Sequence, residues 1–309
     1  MNGMLIKDCG IFVPSNCVSN FDLQKKLDTS DEWIKTRTGI SSRFIAEKET
    51  TYSMAYESAK NLNLGNVKII LCATSTPDCN FPTCSSYVHG KLGLGKDVMC
   101  FDIHDACNGF VQAFTTAMVF LQNMPEDSEA LIIGSEKMSS ILDWNDRSTA
   151  VLFGDGAGAV LVNNKFGKLL KYSSYSKPSF DSLNVENTTT KINDKEFGNG
   201  SIKMNGQDVF KNACSSMRED VINIVKESGE VDWFIPHQAN LRILKKVSEN
   251  LSGIKNLVYN GDKYGNTSAA SIPLALYDVF KEGKLSSGQK LLFTGFAAGF
   301  RWGSVLVQL

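Results

Sequence analysis

The order of elements in this 309-residue chain occurs twice, and that repetition restricts the folds open to it more than any other feature. In the first half an apolar run, Val67–Ser75, leads through a helical stretch to Val98–Ile103; Cys107 then opens an apolar helix, and strands follow at Ala130–Gly134 and Gly158–Val162. In the second half Val231–Pro236 leads through a helix to Leu257–Tyr259; Asn266 opens a helix, and strands follow at 290–294 and 303–307. The interval from Cys107 to Leu131 differs by one residue from that between Asn266 and Leu291, and GAVLV at 158–162 is echoed by GSVLV at 303–307. Strands that are apolar throughout need cover on both faces, so the pattern predicts an α/β protein with helices over mostly parallel sheets. Two similar halves, residues 1–165 and 166–309, related by a pseudo-twofold axis would bring the Cys107 and Asn266 junctions to one central place.

Between these landmarks the chain is readable in part. Met4–Val13 reads as a strand, and Thr29 with Glu32 has capping-box spacing for a short helix that exposes Trp33, Lys35 and Arg37. Asn80-Phe81-Pro82 resembles a helix entry with Pro in the first turn. The glycines at 154, 156 and 158 fail as a dinucleotide loop, because a strand and not a helix follows them; a tightly packed turn accounts for them better. Asn163–Ile202 is a polar connection with an edge strand near Lys168–Tyr175, and a long helix covers roughly Asn205–Ser228.

Charge and cysteine usage remove several function classes. With 32 basic against 33 acidic residues the net charge is −1, so no global field favours nucleic acid or an anionic membrane. No run approaches the roughly 18 consecutive apolar residues of a membrane span. The eight cysteines form no C-x-x-C pair and there are three histidines, which predicts no metal site. The first residues lack the pattern of a signal peptide, and a cytoplasmic protein with reduced thiols is expected.

Three polar residues stand at strand-to-helix junctions, where open α/β sheets carry their chemistry: Cys107 in DACNGF, His237 in IPHQAN and Asn266 in YGNTSAAS. Each has an ordinary reading alone, as a buried cysteine, a structural histidine or a helix cap. Together, at matching junctions of a duplicated fold, they suggest a site. A thiol at a helix N-terminus is expected to be acidified towards its nucleophilic thiolate. The helix after HQAN presents Arg242, Lys245 and Lys246 on one face, with Lys211 a candidate extension, and such a face suits an acidic partner despite the neutral total.

TSDEWIKTRTGI (29–40), NFPTCSS (80–86), DACNGF (105–110), FGDGAGA (153–159), VDWFIPHQANLRI (231–243), YGNTSAASIPLAL (264–276) and GFAAGFRWGS (295–304) resemble, nearly end to end, the ketoacyl-ACP synthase III family of the thiolase superfamily. The resemblance implies a thiolase-like, duplicated five-layer αβαβα sandwich and a Cys107–His237–Asn266 triad. It implies ping-pong condensation of an acyl-CoA with malonyl-acyl carrier protein (ACP), without cofactor, in a homodimer whose Phe81 lines the partner's acyl pocket. Backbone N–H groups of Cys107 and Ala298 would form the oxyanion hole. Trp33 would stack on adenine with Arg37 and Arg147 near phosphates; Asn205, Phe210, Ala239 and Asn240 would line the pantetheine channel; Lys211, Arg242, Lys245 and Lys246 would meet ACP. Thiolases use a second, late cysteine, whereas the last one here is Cys214; elongating synthases use two histidines, and Asn266 stands in place of the second. The chain departs from the family pattern at Ala297-Ala298, where Gly-Gly is usual, and at His104, Asp105 and Asn108 around the nucleophile. Those departures keep two alternatives open, a specialised acyltransferase with another acceptor and a non-catalytic acyl-CoA or ACP-binding homologue.

Overall fold

Apolar runs without polar alternation need helices on both sides, and the computed structural model, which describes residues 3–185 and 200–309 and the backbone of 191–192 and 195–196, supplies them. Strands β1 (Ile6–Phe12), β2 (Val67–Ala73), β3 (Met99–Ile103), β4 (Glu129–Lys137) and β5 (Asp155–Asn163) form one sheet in the order β1-β5-β4-β2-β3. Strands β6 (Lys168–Ser179), β7 (Val231–Pro236), β8 (Ile254–Leu257), β9 (Lys290–Ala297) and β10 (Gly299–Gln308) form the other in the same order, β6-β10-β9-β7-β8. In each sheet the second strand of that order is antiparallel to both neighbours and the remaining pairings are parallel, so four of five strands run the same way.

Helices α1 (Asp31–Thr38), α2 (Thr51–Ala59), α3 (Cys84–Leu92), α4 (Gly109–Leu121), α5 (Gly206–Ser228), α6 (Leu241–Ser248) and α7 (Ser271–Lys281) complete the framework. On the outer face of the first sheet, Tyr52, Ala55 and Val88 of α2 and α3 pack against Ile70, Cys72 and Leu131. On the outer face of the second, Met217, Val221 and Val247 of α5 and α6 pack against Phe234, Leu292 and Leu306. The middle layer is α4 and α7, whose Phe110, Phe114, Ile272 and Leu276 share one core with Ile69 and Leu71 of the first sheet and Phe293 of the second. Five layers result. In β2 alternate residues face the two layers, Ile69 and Leu71 inward, Ile70 and Cys72 outward, which is why that stretch reads as continuously apolar. Phe114 and Phe293 meet edge to face at 5.1 Å between centroids, and truncating either buried ring would cost about 3–5 kcal/mol.

Several local expectations shift. Helix α1 is capped by Ser30, whose Oγ accepts from the Trp33 N–H, and not by Thr29, whose own N–H closes the preceding turn on Leu27. Helix α3 starts after Pro82, with Thr83 as its cap and the Asp102 carboxylate accepting from the Cys84 and Ser85 N–H groups. Strand β8 lies a few residues before Leu257–Tyr259. Helix α7 opens at Ser271 and not at Asn266: a one-turn 3-10 segment, Ser268–Ala270, precedes it, as Ala106–Asn108 precedes α4. The two segments start on left-handed residues, Ala106 (φ 43) and Ser268 (φ 49), so the positional counterpart of Cys107 is Ala269, and Asn266 matches His104. Part of the polar connection 163–202 lies outside the described residues.

The halves meet through two glycines. A Cβ on Gly134 of β4 would lie 2.2 Å from the Ala269 carbonyl oxygen, and one on Gly295 of β9 would lie 3.0 Å from the Asn108 Cα, so each strand presses on the other half's turn. Gly134→Ala should lower unfolding stability in urea by about 3 kcal/mol, whereas Gly90→Ala, which meets nothing within 4 Å on α3, should leave it unchanged or raise it slightly.

Candidate active site

The turn carrying Cys107 is held by charge as well as by backbone. Asp105 accepts at 2.7 Å from Arg301 Nε and at 2.7 Å from Asn108 Nδ2, which ties the start of the turn to its end and to β10. Burial raises the Asp105 carboxyl, and the Asn108 hydrogen bond and Arg301 oppose that shift. Cys107 borders a cavity of about 150 Å3 that His237 and Asn266 also line, with Phe153, Phe210 and Phe296 among its apolar walls. The three residues drawn from separate junctions therefore share one chamber.

The thiol is not acidified. Burial pushes Cys107 up to about 12 against a hydrogen bond from Ser268, and the Glu136 and Asp105 carboxylates add to the rise. A helix N-terminus favours an anion only where solvent and neighbouring charges leave that term in control.

His237 is buried, its N–H donates to the Thr294 carbonyl, and its Nδ1 lies 2.7 Å from Ser271 Oγ. The Gln238 N–H donates to the same Oγ, so the Ser271 hydroxyl hydrogen is directed to Nδ1, and the ring proton stays on Nε2. Burial lowers the imidazole to about 3 and keeps it neutral. Asn266 is fixed by its N–H to the Leu152 carbonyl and by the Gly154 N–H to its own carbonyl. Gly154 is required there, since a Cβ would come within 2.5 Å of the Tyr264 oxygen. The Ser268 N–H donates to Asn266 Oδ1 at 2.9 Å, which orients the amide and leaves its Nδ2 hydrogens as donors. The chamber thus offers a sulfur nucleophile facing two neutral N–H donors, a set suited to a thioester oxygen that gains negative charge.

The other expected residues divide into those at the chamber, those at its mouth and those elsewhere. Phe210, Ala239 and Asn240 line the cavity. Asn205 does not: its side chain caps α5 through the Asp208 N–H, while the adjacent Met204 and Gly206 line the wall. At the mouth the Arg147 guanidinium lies 5.3 Å over the Trp33 ring, and Asn240 Nδ2 donates to the Arg37 carbonyl, joining α1 to the start of α6. Ala298 sits in the tight turn between β9 and β10. Phe81 projects outward, 84% exposed. Lys211, Arg242, Lys245 and Lys246 are all exposed; Arg242 covers the Phe210 ring at 5.2 Å and Lys246 pairs with Glu249.

Ser268, Ser271 and Glu136, which no sequence motif singled out as polar partners, hold the chamber, and Arg218 closes α6 by donating to its last carbonyls. SAAS at 268–271 did stand within the motif at Asn266, and its serines were the available signal. Among the described residues no cluster of three His, Cys, Asp or Glu is arranged to hold a metal, and no helix is long and apolar enough to cross a membrane.

Comparison with known proteins agrees over the whole length. Residues 101–178 match the family model of 3-oxoacyl-[acyl-carrier-protein] synthase III, and residues 226–309 match that of its C-terminal part. The beta-ketoacyl-[acyl-carrier-protein] synthase III of Aquifex aeolicus is 42% identical over 99% of both chains, and that of Neisseria gonorrhoeae is 40% identical over 98% of both. The crystal structure of the Aquifex aeolicus 3-oxoacyl-[acyl-carrier-protein] synthase III superposes with a TM-score of 0.89 at 41% identity, covering 99% of this chain and 100% of that one.

The neutral state of His237 has a measurable consequence. An unfolded histidine takes up a proton near pH 6.5, and the folded one only near 3, so the stability tied to this residue is complete above pH 6.5 and is lost as pH falls below it, by up to roughly 1.4 kcal/mol per pH unit. Urea denaturation between about pH 6.5 and 4.5 should show a shallower decline for His237→Gln than for the parent.

Proposed function

The chain belongs to the 3-oxoacyl-[acyl-carrier-protein] synthase III family, and from that premise we propose that it performs the decarboxylating condensation of an acyl-CoA primer with malonyl-ACP. The observation that carries this reading is the meeting of Cys107, His237 and Asn266 in one apolar chamber. Cys107 attacks the acyl-CoA thioester, the carbon–sulfur bond to CoA breaks, and an acyl-enzyme remains. Malonyl-ACP then enters. The His237 Nε2–H and Asn266 Nδ2–H groups donate to its thioester oxygen, the enolate forms as CO2 leaves, and the carbanion attacks the acyl-Cys107 carbonyl. The product is 3-oxoacyl-ACP. Decarboxylation generates the carbanion without a strong base, which suits a histidine held neutral. The N–H groups of Cys107 and Ala298 receive the tetrahedral oxyanion, and losing one such donor costs about 3 kcal/mol of transition-state stabilisation.

The mouth supports the substrate assignment. The Trp33 ring and the Arg147 and Arg37 guanidiniums offer a flat apolar surface with cations for adenine and phosphates, and Phe210, Ala239 and Asn240 suit a thin pantetheine arm. Asn205 is reassigned to capping α5. The exposed basic face of α6 with Lys211 fits the acidic carrier protein. A homodimer in the cytoplasm is the assembly that fits: β3 is a sheet edge, Met99, Val119 and Phe120 beside it are exposed, and Phe81 reaches away from its own chamber.

Incubation with radiolabelled acyl-CoAs should place a label on Cys107 that Cys107→Ser abolishes; tight binding with no label would favour a binding homologue. His237→Ala should keep acylation of Cys107 and lose malonyl decarboxylation, and equal loss of both steps would remove the assigned role. Reversing Arg242 and Lys246 to Glu should raise KM for malonyl-ACP several-fold with little change for the acyl-CoA, as steady-state kinetics would show.

A further inference from the structure

A thiol held near 12 needs a base, and the chamber's histidine is poorly placed to be one. With Ser271 directing its hydroxyl hydrogen to Nδ1, the proton of His237 is on Nε2, and the ring offers the sulfur no lone pair. The sulfur has another neighbour. Ser268 hydrogen-bonds Cys107, and its Oγ lies 3.0 Å from Glu136 Oε1. Glu136 sits at the end of β4 with no exposed surface, and its carboxylate accepts from Ser268 Oγ, Thr74 Oγ1, Thr76 Oγ1 and the Ser75 N–H, all neutral donors. A fully buried carboxylate without a cation is costly to retain for packing alone.

We propose that Glu136, acting through the Ser268 hydroxyl, receives the proton of the Cys107 thiol when the acyl group is accepted and returns it when the thiolate leaves. The proposal rests on the reading of Cys107 as the acylated nucleophile. In the resting state the thiol S–H faces Ser268 Oγ and the serine O–H faces Oε1. As Sγ attacks the thioester carbon, the S–H proton passes to Ser268 Oγ and the serine proton passes to Oε1. The carbon–sulfur bond to CoA then breaks, and the CoA thiolate takes its proton from solvent. In the second half the carbanion attacks, the bond to Cys107 breaks, and the proton returns from Oε1 through Ser268 to Sγ. One negative charge moves between Oε1 and Sγ within the buried site, so the repulsion of two adjacent anions is avoided. Asn266 contributes by position, since its Oδ1 accepts the Ser268 N–H.

The other titratable groups around this pair are otherwise engaged. Asp105 is bound by Arg301 and Asn108, with exposed His104 beside it; Lys137 donates to the Glu49 carbonyl; Asp78 accepts the Thr51 and Tyr52 N–H groups; Cys84 is buried with a raised thiol; His237 is held by Ser271.

The test follows alkylation of Cys107 by iodoacetamide, which needs thiolate but no acyl-CoA, beside the rate of Cys107 acylation by an acyl-CoA. With an internal base the parent protein should be alkylated at a rate nearly flat between about pH 6 and 9. Glu136→Gln keeps an acceptor for Ser268 but takes no proton, so its rate should be at least about tenfold lower at pH 7 and should rise roughly tenfold per pH unit, with acylation following the same profile. Ser268→Ala, which leaves the carboxylate in place and breaks the path, should give the same slope, and Ser268→Thr should restore the flat profile. Should Glu136→Gln fail to fold, the two Ser268 variants decide alone. A flat, parental profile in Ser268→Ala, or a slope that appears only with His237→Gln, overturns the relay. Parental protein that shows the flat alkylation profile but takes no acyl label from any acyl-CoA overturns the condensing reading and leaves the relay standing.

Discussion

Gly134 of one half lies against the Ala269 and Ala270 backbone of the other, and Gly295 returns the contact on Cys107 and Asn108. Any side chain at either place would hold the sheets apart at the level where the two turns meet. Both turns begin on a left-handed residue, a conformation that costs about 1–2 kcal/mol for Ala or Ser and persists because the surroundings leave no alternative. The reciprocal pressing of strand on turn is that surrounding. Everything chemical follows from it, since Ser268 and Asn266 lead into one turn and Cys107 lies on the other.

The fold was legible because its constraint is written along the chain. Strands buried on both faces must be apolar throughout, as in VKIILCA, and a repeated order of such strands names its own partner. Cys107, His237 and Asn266 were legible because polar residues at strand ends stand out from that background. The remainder depends on contacts remote in sequence. Glu136 looks like the polar end of a strand until Thr74, Ser75, Thr76 and Ser268 are seen around it. Thr29 and Ser30 have equal claims as a cap, and the choice is made by which N–H the preceding turn has already used. The thiol was misjudged for a related reason: a dipole is local and readable, whereas burial and a carboxylate from another strand are not.

Charge is distributed in depth. The exterior around α1 and α6 carries Arg37, Arg147, Arg242 and the two lysines, the walls of the cavity are aromatic and aliphatic, and the floor holds carboxylates at Glu136 and Asp105. A neutral total of −1 conceals this gradient from cationic rim to anionic floor. The unusual frame of the nucleophile also finds a structural account, because Asp105, Asn108 and Arg301 act as one brace across the turn and β10.

The middle layer of two helices also serves as a ruler. Helix α4 starts two residues after Cys107, and α7 starts at Ser271, the residue that holds His237. Their apolar faces interlock through Phe110, Phe114, Ile272 and Leu276, so the distance between sulfur and imidazole is set by how far one helix has advanced along the other. One residue of slip is about 1.5 Å, more than the roughly 1 Å that already costs a hundredfold in rate when reacting groups are misplaced. Side-chain volume in the core, well away from any reacting atom, is therefore a calibration of the chemistry at its end.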